Sequence, residues 1–588
     1  MARVLRFLVL VAVSVAIVVL AVWVGLRRID DMAKPATSSD FVRAEGRGLI
    51  RDGAPFRFRA VAFANDYDLE LGDYGFTLAT SRHHRERDFA RVADLGFNAV
   101  RFALNATWYR DDPRAFWRWL DRNVGWARDN GVLLILDLHV PIGGTWLDAS
   151  DPAPDFSIWT DPEVAAENVA FWLAIAERYR YEPTIAAYDL LNEPVTADAT
   201  GAAWRQLAAE MVRAVRSVDP NHLLIVAPVY GKDRSFEPVG PEDQFLVDDR
   251  NAMYDFHFYE PIAFTHQTAA WLVPPILDGG RYPDPEVIVP TGAQVQLLDS
   301  SLSGPTLVPG DSGWQRYEGD WVAITDPRAV AALPIATMRA GARGSIRFDE
   351  IEVFEHDVAS DTIRRVVHAP LEAGDLAKWW EWGEVAPQSY AGHFTRDTTD
   401  GSGDGAGDGA SLGIDGDTAR VGFLGWSSDD HWFRITPGNR YRIAGSMKGR
   451  GVAYGPPGTG GDEPGFIGFT LDVYGSPDDG TPGFVTRGPD QLAFLFHRLA
   501  RFGLEHDVPM SVMEFGTIRA TLDDPDKGGA DWIADMLDLL DANDTSYALW
   551  NYHGSEMGLF RSVTETWPSR PNRPLLDVVE AHLAGSAP

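Results

Sequence analysis

The chain has no cysteine among its 588 residues. That excludes disulfides, thiolate metal centres and a lipid-bearing cysteine, although it leaves the redox compartment open. Positive charge is also scarce: 52 Lys and Arg stand against 85 Asp and Glu, for a net charge of −33. The phosphates of a nucleic acid would be repelled by such a surface, so no DNA or RNA partner is expected. Solubility in a salty or extracellular medium accounts for the acidity. Phosphate-cradling loops and H-E-x-x-H helices are missing, which leaves nucleotide and zinc-protease chemistry without support.

What is present is a globular composition, 45% hydrophobic, with 20 Trp, 17 Tyr and 30 Phe. The length is too great for one ordinary core, so at least two folded units are expected. One uncharged apolar run stands apart, from Phe7 to Leu26, with Arg3 and Arg6 before it and Arg27-Arg28 after it. A run of that length can cross a bilayer. Its end, Ala21 to Leu26, has no clean small-x-small cleavage site, which favours an uncleaved signal anchor over a removed signal peptide. The expectation is a cytoplasmic N-terminus at 1–6, a transmembrane anchor at 7–26, a linker at 27–40 and a monomeric remainder outside the cytoplasm. Basic residues flank both ends, so they orient the span only weakly.

Beyond the linker, Gly48 to Phe56 reads as a hairpin turning at Asp52-Gly53. Strand and helix patterns then alternate. Strands are expected at Phe58–Ala64, Ala99–Leu104, Val132–Leu138, Ile185–Leu191, His222–Ala227 and Met253–Tyr259. Helices are expected at Arg114–Asn130, Pro162–Tyr179 and Gly201–Val218, with Gly131 as a stop signal after the first. Six units do not close the usual barrel. Two more strands occur near the C-terminus, Pro509–Met513 and Ser546–Trp550, with helices at Pro489–Glu505, Gly529–Asn543 and Asn572–Leu583. The fold class is therefore α/β, a (β/α)8 barrel in two parts, 41–282 and 483–588. Between them, 283–482 turns to short β-type runs rich in Gly and Asp. Gly344–Phe354 and Tyr441–Met447 alternate with period two, as in a β-sandwich. The Gly/Asp stretch Asp400–Gly413 lacks the spacing of an EF-hand and reads as a solvated linker.

Two glutamates close strand-like runs: Glu193 in Asn192-Glu193-Pro194, and Glu514 in Met513-Glu514-Phe515. At the C-terminal end of a barrel strand, each carboxylate faces the active-site mouth. A carboxylate pair there is what retaining glycoside hydrolysis requires.

Other strand ends carry a matching set: Arg101 after the second, His139 after the third, His257 and Tyr259 after the sixth, and Trp550 after the eighth. In this order the residues resemble glycoside hydrolase family 5, the cellulase-type retaining enzymes, over Phe41–Tyr282 and Phe484–Leu583. The resemblance implies that Glu193 is the acid/base and Glu514 the nucleophile. Arg101, His139, Asn192, His257, Tyr259 and Trp550 bind or orient substrate. No cofactor or metal is implied, and the partner is a polysaccharide. Arg101 and Tyr259 are the natural donors to Glu514, and Asn192 suits a sugar 2-hydroxyl. Glu514 and partial burial are expected to raise the Glu193 pKa.

Trp108, Trp146, Trp159 and Trp271 are candidate stacking residues, each as readily explained by packing. Glu260 and Asp137 are nearby carboxylates with supporting roles at most. The insertion resembles a carbohydrate-binding jelly roll with its usual end, Gly313–Ile351, placed before its usual beginning, Asp375–Ile443. Either one circularly permuted sandwich or two partial ones would explain that order. Six of its tryptophans (Trp314, Trp379, Trp380, Trp382, Trp426 and Trp432) supply more aromatic surface than a small core needs. With both insertion ends after strand six, the sandwich is expected beside the cleft. β-1,4-Glucan is the expected substrate, with β-mannan, β-1,3-glucan or a glycolipid open to the same chemistry. A non-catalytic glycan-binding protein is the rival from another class; it would need the aromatics but not both glutamates.

Overall fold

The computed structural model describes residues 39–65, 84–144, 155–269, 271–272, 276–339, 341–372, 376–383, 393–403, 409–417, 423–455, 465–554, 556–561 and 570–585. The apolar run at Phe7–Leu26 lies outside the described residues, as does Trp146. Among the described residues no helix is long and apolar enough to cross a membrane.

Eight parallel strands close into a barrel: β1 Arg59–Phe63, β2 Ala99–Asn105, β3 Leu133–Val140, β4 Ile185–Asp189, β5 Leu223–Val226, β6 Ala252–Phe258, β7 Met510–Phe515 and β8 Ser546–Leu549. Every neighbouring pair is parallel, and β6 pairs directly with β7 although 251 positions separate Phe258 from Pro509. The strands form because their runs are apolar on both faces, as strands covered by helices outside and packed inside must be. Asp112 and Asp161 fix the starts of the two longest early helices, Pro113–Asp129 and Pro162–Tyr179. Each aspartate accepts a hydrogen bond from a first-turn N–H, and each helix opens on proline. The aspartate pairs one otherwise unpaired backbone donor, and the proline removes another.

Small inward side chains let the barrel fill. Ala60, Ala99, Leu133, Ile135, Ala187, Leu223, Ile225, Met253, Met513 and Ala548 share one buried cluster with Val42 and Leu49. Leu49 lies in, and Val42 directly precedes, a three-stranded N-terminal meander, Arg43–Glu45, Gly48–Arg51 and Ala54–Phe56. Asp52 and Gly53 both take positive φ at its turn, 53° and 74°, the requirement of a tight hairpin. The meander closes the barrel floor, and burying each such apolar side chain contributes about 1.5–3 kcal/mol.

The chain separates into two compact units, one of residues up to Tyr282 together with those from Leu495, the other Pro283–Phe494. The second unit thus runs past the composition shift at 482. It opens and closes with a two-stranded antiparallel ribbon, Asp284–Pro290 against Phe484–Arg487, in which Pro290 faces Phe484. Within it, two seven-stranded sheets enclose one buried core. In the first sheet the strand order is Val295–Gln296, Ile467–Gly475, Ala329–Arg339, Phe423–Ser427, Trp380–Gly383. The early and late halves of the insertion therefore interleave, which decides for one sandwich over two partial ones.

Trp379 and Trp426 belong to that core. Trp314 lies under Lys448, and Trp432 packs on Tyr474 and Phe484. Trp382 meets Phe423 edge-on, while Trp380 remains 43% exposed. Gly409-Ala410-Ser411-Leu412-Gly413 has the spacing of a serine-hydrolase nucleophile elbow. Ser411, however, is fully buried in a strand and donates to the Asp400 carbonyl, with no strand-to-helix turn to present it.

The paired ribbon makes the insertion removable. Joining Pro290 to Phe484 through Asn-Gly should give a soluble chain with a cooperative thermal transition and helical far-UV circular dichroism. An aggregated product would show instead that the barrel needs the sandwich to fold.

Candidate active site

Parallel strands put their C-terminal ends on one face, and the expected residues meet there. Side-chain parity along a strand does the rest. Asp137 and His139 point the same way on β3, as do Asp255 and His257 on β6. Glu193 follows β4 with φ of 38°. A glutamate in the left-handed region is strained, and such strain persists where surrounding structure imposes it.

Arg101 on β2 is 1% exposed and organises the floor of the site. Its Nη1 donates to Glu514 Oε1 at 2.6 Å, its Nε to Asp189 Oδ2 at 2.9 Å and its Nη2 to Asn192 Oδ1 at 3.0 Å. Asp137 Oδ1 lies 3.1 Å from Nη2. Glu514 Oε2 accepts from the Tyr259 hydroxyl at 2.8 Å. Glu193 Oε1 meets His257 Nδ1 at 2.8 Å, and the same nitrogen lies 3.5 Å from Glu514 Oε2. The donor atoms of Glu193, His257 and Glu514 all fall within 4.8 Å of one another, and all three side chains are buried. Asn192 has its Oδ1 fixed by Arg101, which turns the amide N–H2 into the available group.

Burial alone would strip Arg101 of its proton, but Asp137, Asp189 and Glu514 hold its pKa well above the ordinary value. The two aspartates divide unequally. Burial pushes Asp189 up, Arg101 opposes, and the Asp137 and Asp255 charges push it further, to about 7. Burial also acts against ionised Asp137, but Arg101 and His139 outweigh it and hold that carboxyl low. Desolvation disfavours a charged His257, yet Glu514, Asp255 and Glu193 surround it and raise its pKa well above the usual imidazole value. His257 is accordingly an imidazolium. Burial holds the Tyr259 phenol neutral, and the Glu514 charge adds to that, keeping it a donor.

The Trp550 ring stacks on His139 with centroids 5.3 Å apart and planes 9° apart. The residue is seated by its backbone N–H, which donates to the Phe515 carbonyl at 2.9 Å. Gly516 is required beside it: a Cβ there would lie 2.5 Å from the Trp550 carbonyl oxygen. Trp271 joins Tyr259 and Trp550 around Ile518, Ala269 and Met557. Trp108 is instead a packing residue, buried edge-on against Trp119. Trp159 packs with Phe156, Val195 and Tyr230. Glu260 turns its carboxylate to the Ile262 N–H and takes no part in the cluster.

Sequence reasoning did not single out Asp189, Asp255 or His266. Asp255 Oδ1 accepts from Met513 N at 2.9 Å and Ser511 Oγ at 3.2 Å, and its Oδ2 lies 3.4 Å from His257 Nε2. His266 packs edge-on against Tyr259 and Trp271, and burial lowers its pKa to about 4. The available signal was a charge inside an apolar strand, as in Ala187-Tyr188-Asp189-Leu190 and Tyr254-Asp255-Phe256. An aspartate is costly there unless partnered.

Asp189 predicts a pH effect. Its folded pKa of about 7 exceeds the unfolded carboxylate value, so its favourable contribution is complete below about pH 4 and is lost as pH rises through 7. Asp189→Asn cannot ionise and keeps a carbonyl for Arg101. The melting temperature of the variant relative to the parent should therefore rise between pH 4 and pH 8. A relative fall over that range would mean that Asp189 is stabilised as the anion.

Comparison with known proteins agrees with this geometry. The model of the cellulase family, glycosyl hydrolase family 5, matches residues 64–294. Endoglucanase C of Acetivibrio thermocellus is 30% identical over 195 residues, 32% of this chain and 53% of that protein. Cellodextrinase A of Ruminococcus flavefaciens is 27% identical over 241 residues, 39% of this chain and 68% of its own. Mannan endo-1,4-beta-mannosidase 2 of Oryza sativa subsp. japonica is 30% identical over 249 residues, 36% and 52% of the two chains. The chain spans about half the length of the curated endoglucanases it matches first. Among solved structures, Thermotoga maritima Cel5A in complex with cellobiose aligns with a TM-score of 0.41 at 14% identity, covering 88% of this chain and 96% of that one. With its family model at 64–294 and its strand-end residues gathered around Glu193 and Glu514, the barrel is similar to the cellulase-type barrels of glycosyl hydrolase family 5.

Proposed function

We propose that the protein is a retaining endo-β-glycosidase that cleaves β-1,4-glucan by double displacement. The observation that carries this reading is the approach of the Glu193 and Glu514 oxygens to within 4.8 Å. An inverting enzyme holds its carboxyl groups about 6.5–9.5 Å apart to admit a water, whereas a retaining one holds them about 5–5.5 Å apart. In the first step Glu193 gives its proton to the glycosidic oxygen. Glu514 attacks the anomeric carbon, and the bond to the leaving chain breaks. In the second, Glu193 takes a proton from water, whose oxygen displaces Glu514 from the same carbon and restores the original configuration.

The surrounding residues serve those two steps. Arg101 and Tyr259 each donate to one oxygen of Glu514, which aims the nucleophile. His257 holds Glu193 Oε1. The free N–H2 of Asn192 suits the 2-hydroxyl of the sugar, and Trp550 offers a flat apolar face for its ring. β-1,4-Glucan is preferred because the endoglucanases and the cellodextrinase head the matches. β-Mannan is the second reading, for which the rice mannosidase speaks.

Glu514→Ala should fold as the parent does and lose several orders of magnitude in turnover, because it removes the bond-forming group. Proton NMR early in hydrolysis should show the retained anomer. Inversion, or a fully active Glu514→Ala, would overturn the mechanism. Activity on pure β-mannan with none on any β-glucan would overturn the substrate.

For the sandwich we infer glycan binding through the exposed indole of Trp380 on an edge strand, since flat aromatic faces stack on sugar rings. Trp380→Ala in the full chain should bind less to insoluble cellulose while hydrolysing short soluble oligosaccharides normally. Unchanged binding would assign Trp380 no part in it.

A further inference from the structure

Three side chains at the site form more than a hydrogen-bonded triad. His257 Nδ1 lies 2.8 Å from Glu193 Oε1 and 3.5 Å from Glu514 Oε2, and the three donor atoms span no more than 4.8 Å. Four-coordinate zinc, with bonds of about 2.0–2.2 Å to nitrogen and oxygen, spaces neighbouring donors about 3.3–3.5 Å apart. The triad reaches that spacing with side-chain adjustments of about 1 Å, within the range of a glutamate rotation.

A separate observation concerns the far side of the imidazole. Asp255 Oδ2 lies 3.4 Å from His257 Nε2, and Asp255 Oδ1 is anchored by Ser511 Oγ and Met513 N. Asp255 is 1% exposed, and neither its Oδ2 nor His257 Nε2 has a closer polar partner that completes a hydrogen bond. A carboxylate behind one ring nitrogen favours the proton there once a metal displaces the proton on the other, the arrangement behind most metal-binding histidines.

We propose that Glu193, His257 and Glu514 form an inhibitory site for a transition-metal dication of the Zn2+, Co2+ or Cu2+ class. The metal takes the place of the proton between His257 and Glu193 and occupies both carboxylates. One imidazole nitrogen and two carboxylate oxygens suit these ions, whereas Ca2+ takes six to eight oxygens and Mg2+ keeps an octahedral, largely hydrated shell. Metal binding follows from the geometry alone. Its consequence, silencing of hydrolysis, rests on the function proposed above.

The experiment uses the full, tag-free chain. ZnCl2 titrated calorimetrically should show one site that is lost in His257→Gln and weakened tenfold or more in Asp255→Asn, the usual scale for a lost carboxylate partner. CoCl2 should give the visible absorption of a four-coordinate ion in the parent and not in His257→Gln. Circular dichroism establishes that both variants are folded, and Asp255→Asn keeps the shape of the site. Zn2+ should inhibit hydrolysis competitively with the polysaccharide and release on adding EDTA, with MgCl2 and CaCl2 inert. Absence of binding at millimolar Zn2+, or equal binding by His257→Gln, would overturn the site. Inhibition that is not competitive would overturn its placement on the two glutamates. A chain that binds Co2+ in this way yet hydrolyses no β-glycan would uphold the metal site and defeat the glycosidase reading instead.

Discussion

The buried guanidinium of Arg101 is the constraint on which the rest of the site depends. It stands on β2 and reaches Asp137 on β3, Asp189 on β4, Asn192 just beyond β4 and Glu514 on β7. A charge with 1% exposure is tolerable only because these partners replace water. Taking it away would leave carboxylates buried and unpaired, a change that costs about 3–5 kcal/mol in comparable buried pairs. The unequal protonation of Asp189 and Asp137 follows from the same interaction. Asp137 has His139 as a second partner, whereas Asp189 faces the Asp137 and Asp255 charges, so Asp189 is the one pushed up. Arg is required rather than Lys because several partners must be met at fixed angles from one planar fork.

Around this floor the upper groups divide the work between them. Glu514 is gripped by two donors, one on each oxygen, which suits a group that must be anionic and immobile. Glu193 is held at Oε1 through an imidazolium that also faces Glu514 and Asp255. The same histidine that keeps the acid/base in place therefore senses the charge of the nucleophile, and neutralising Glu514 in a covalent intermediate would be felt at once by His257. The strained backbone at Glu193 and the close seating of Trp550 over Gly516 are local concessions to this arrangement.

The sandwich tells a different story about how a fold accommodates added chain. Its entrance and exit pair as a ribbon, so its insertion asks of the barrel only what a hairpin between β6 and the next helix would ask. Long excursions between elements cost little entropy once their ends are held together. β6 and β7 consequently pair as neighbours, with Asp255 opposite Ser511 and a register shift between Phe256 and His257.

Much of the barrel was legible in the sequence because its signals are local. Apolar runs, aspartate caps and Gly131 mark each element within one or two residues, and Glu193 and Glu514 announce themselves at strand ends. The sequence could also say which residue types faced the mouth, since parallel strands all present their C-terminal ends to one side. It could not say who touches whom. Asp189 and Asp255 look like isolated charges in apolar strands until barrel closure brings Arg101 from β2 against the first, and Ser511 and Met513 from β7 against the second. Two sandwich halves are indistinguishable from one interleaved sandwich until strand pairing is known, because alternation fixes the face of a residue and not its neighbour. The sequence alone determined the elements, the strand-end carboxylates and the placement of the insertion. Only the tertiary structure decided which carboxylate keeps a proton, how near the two glutamates lie and which partners hold them, because these depend on distances and desolvation between strands far apart in the chain.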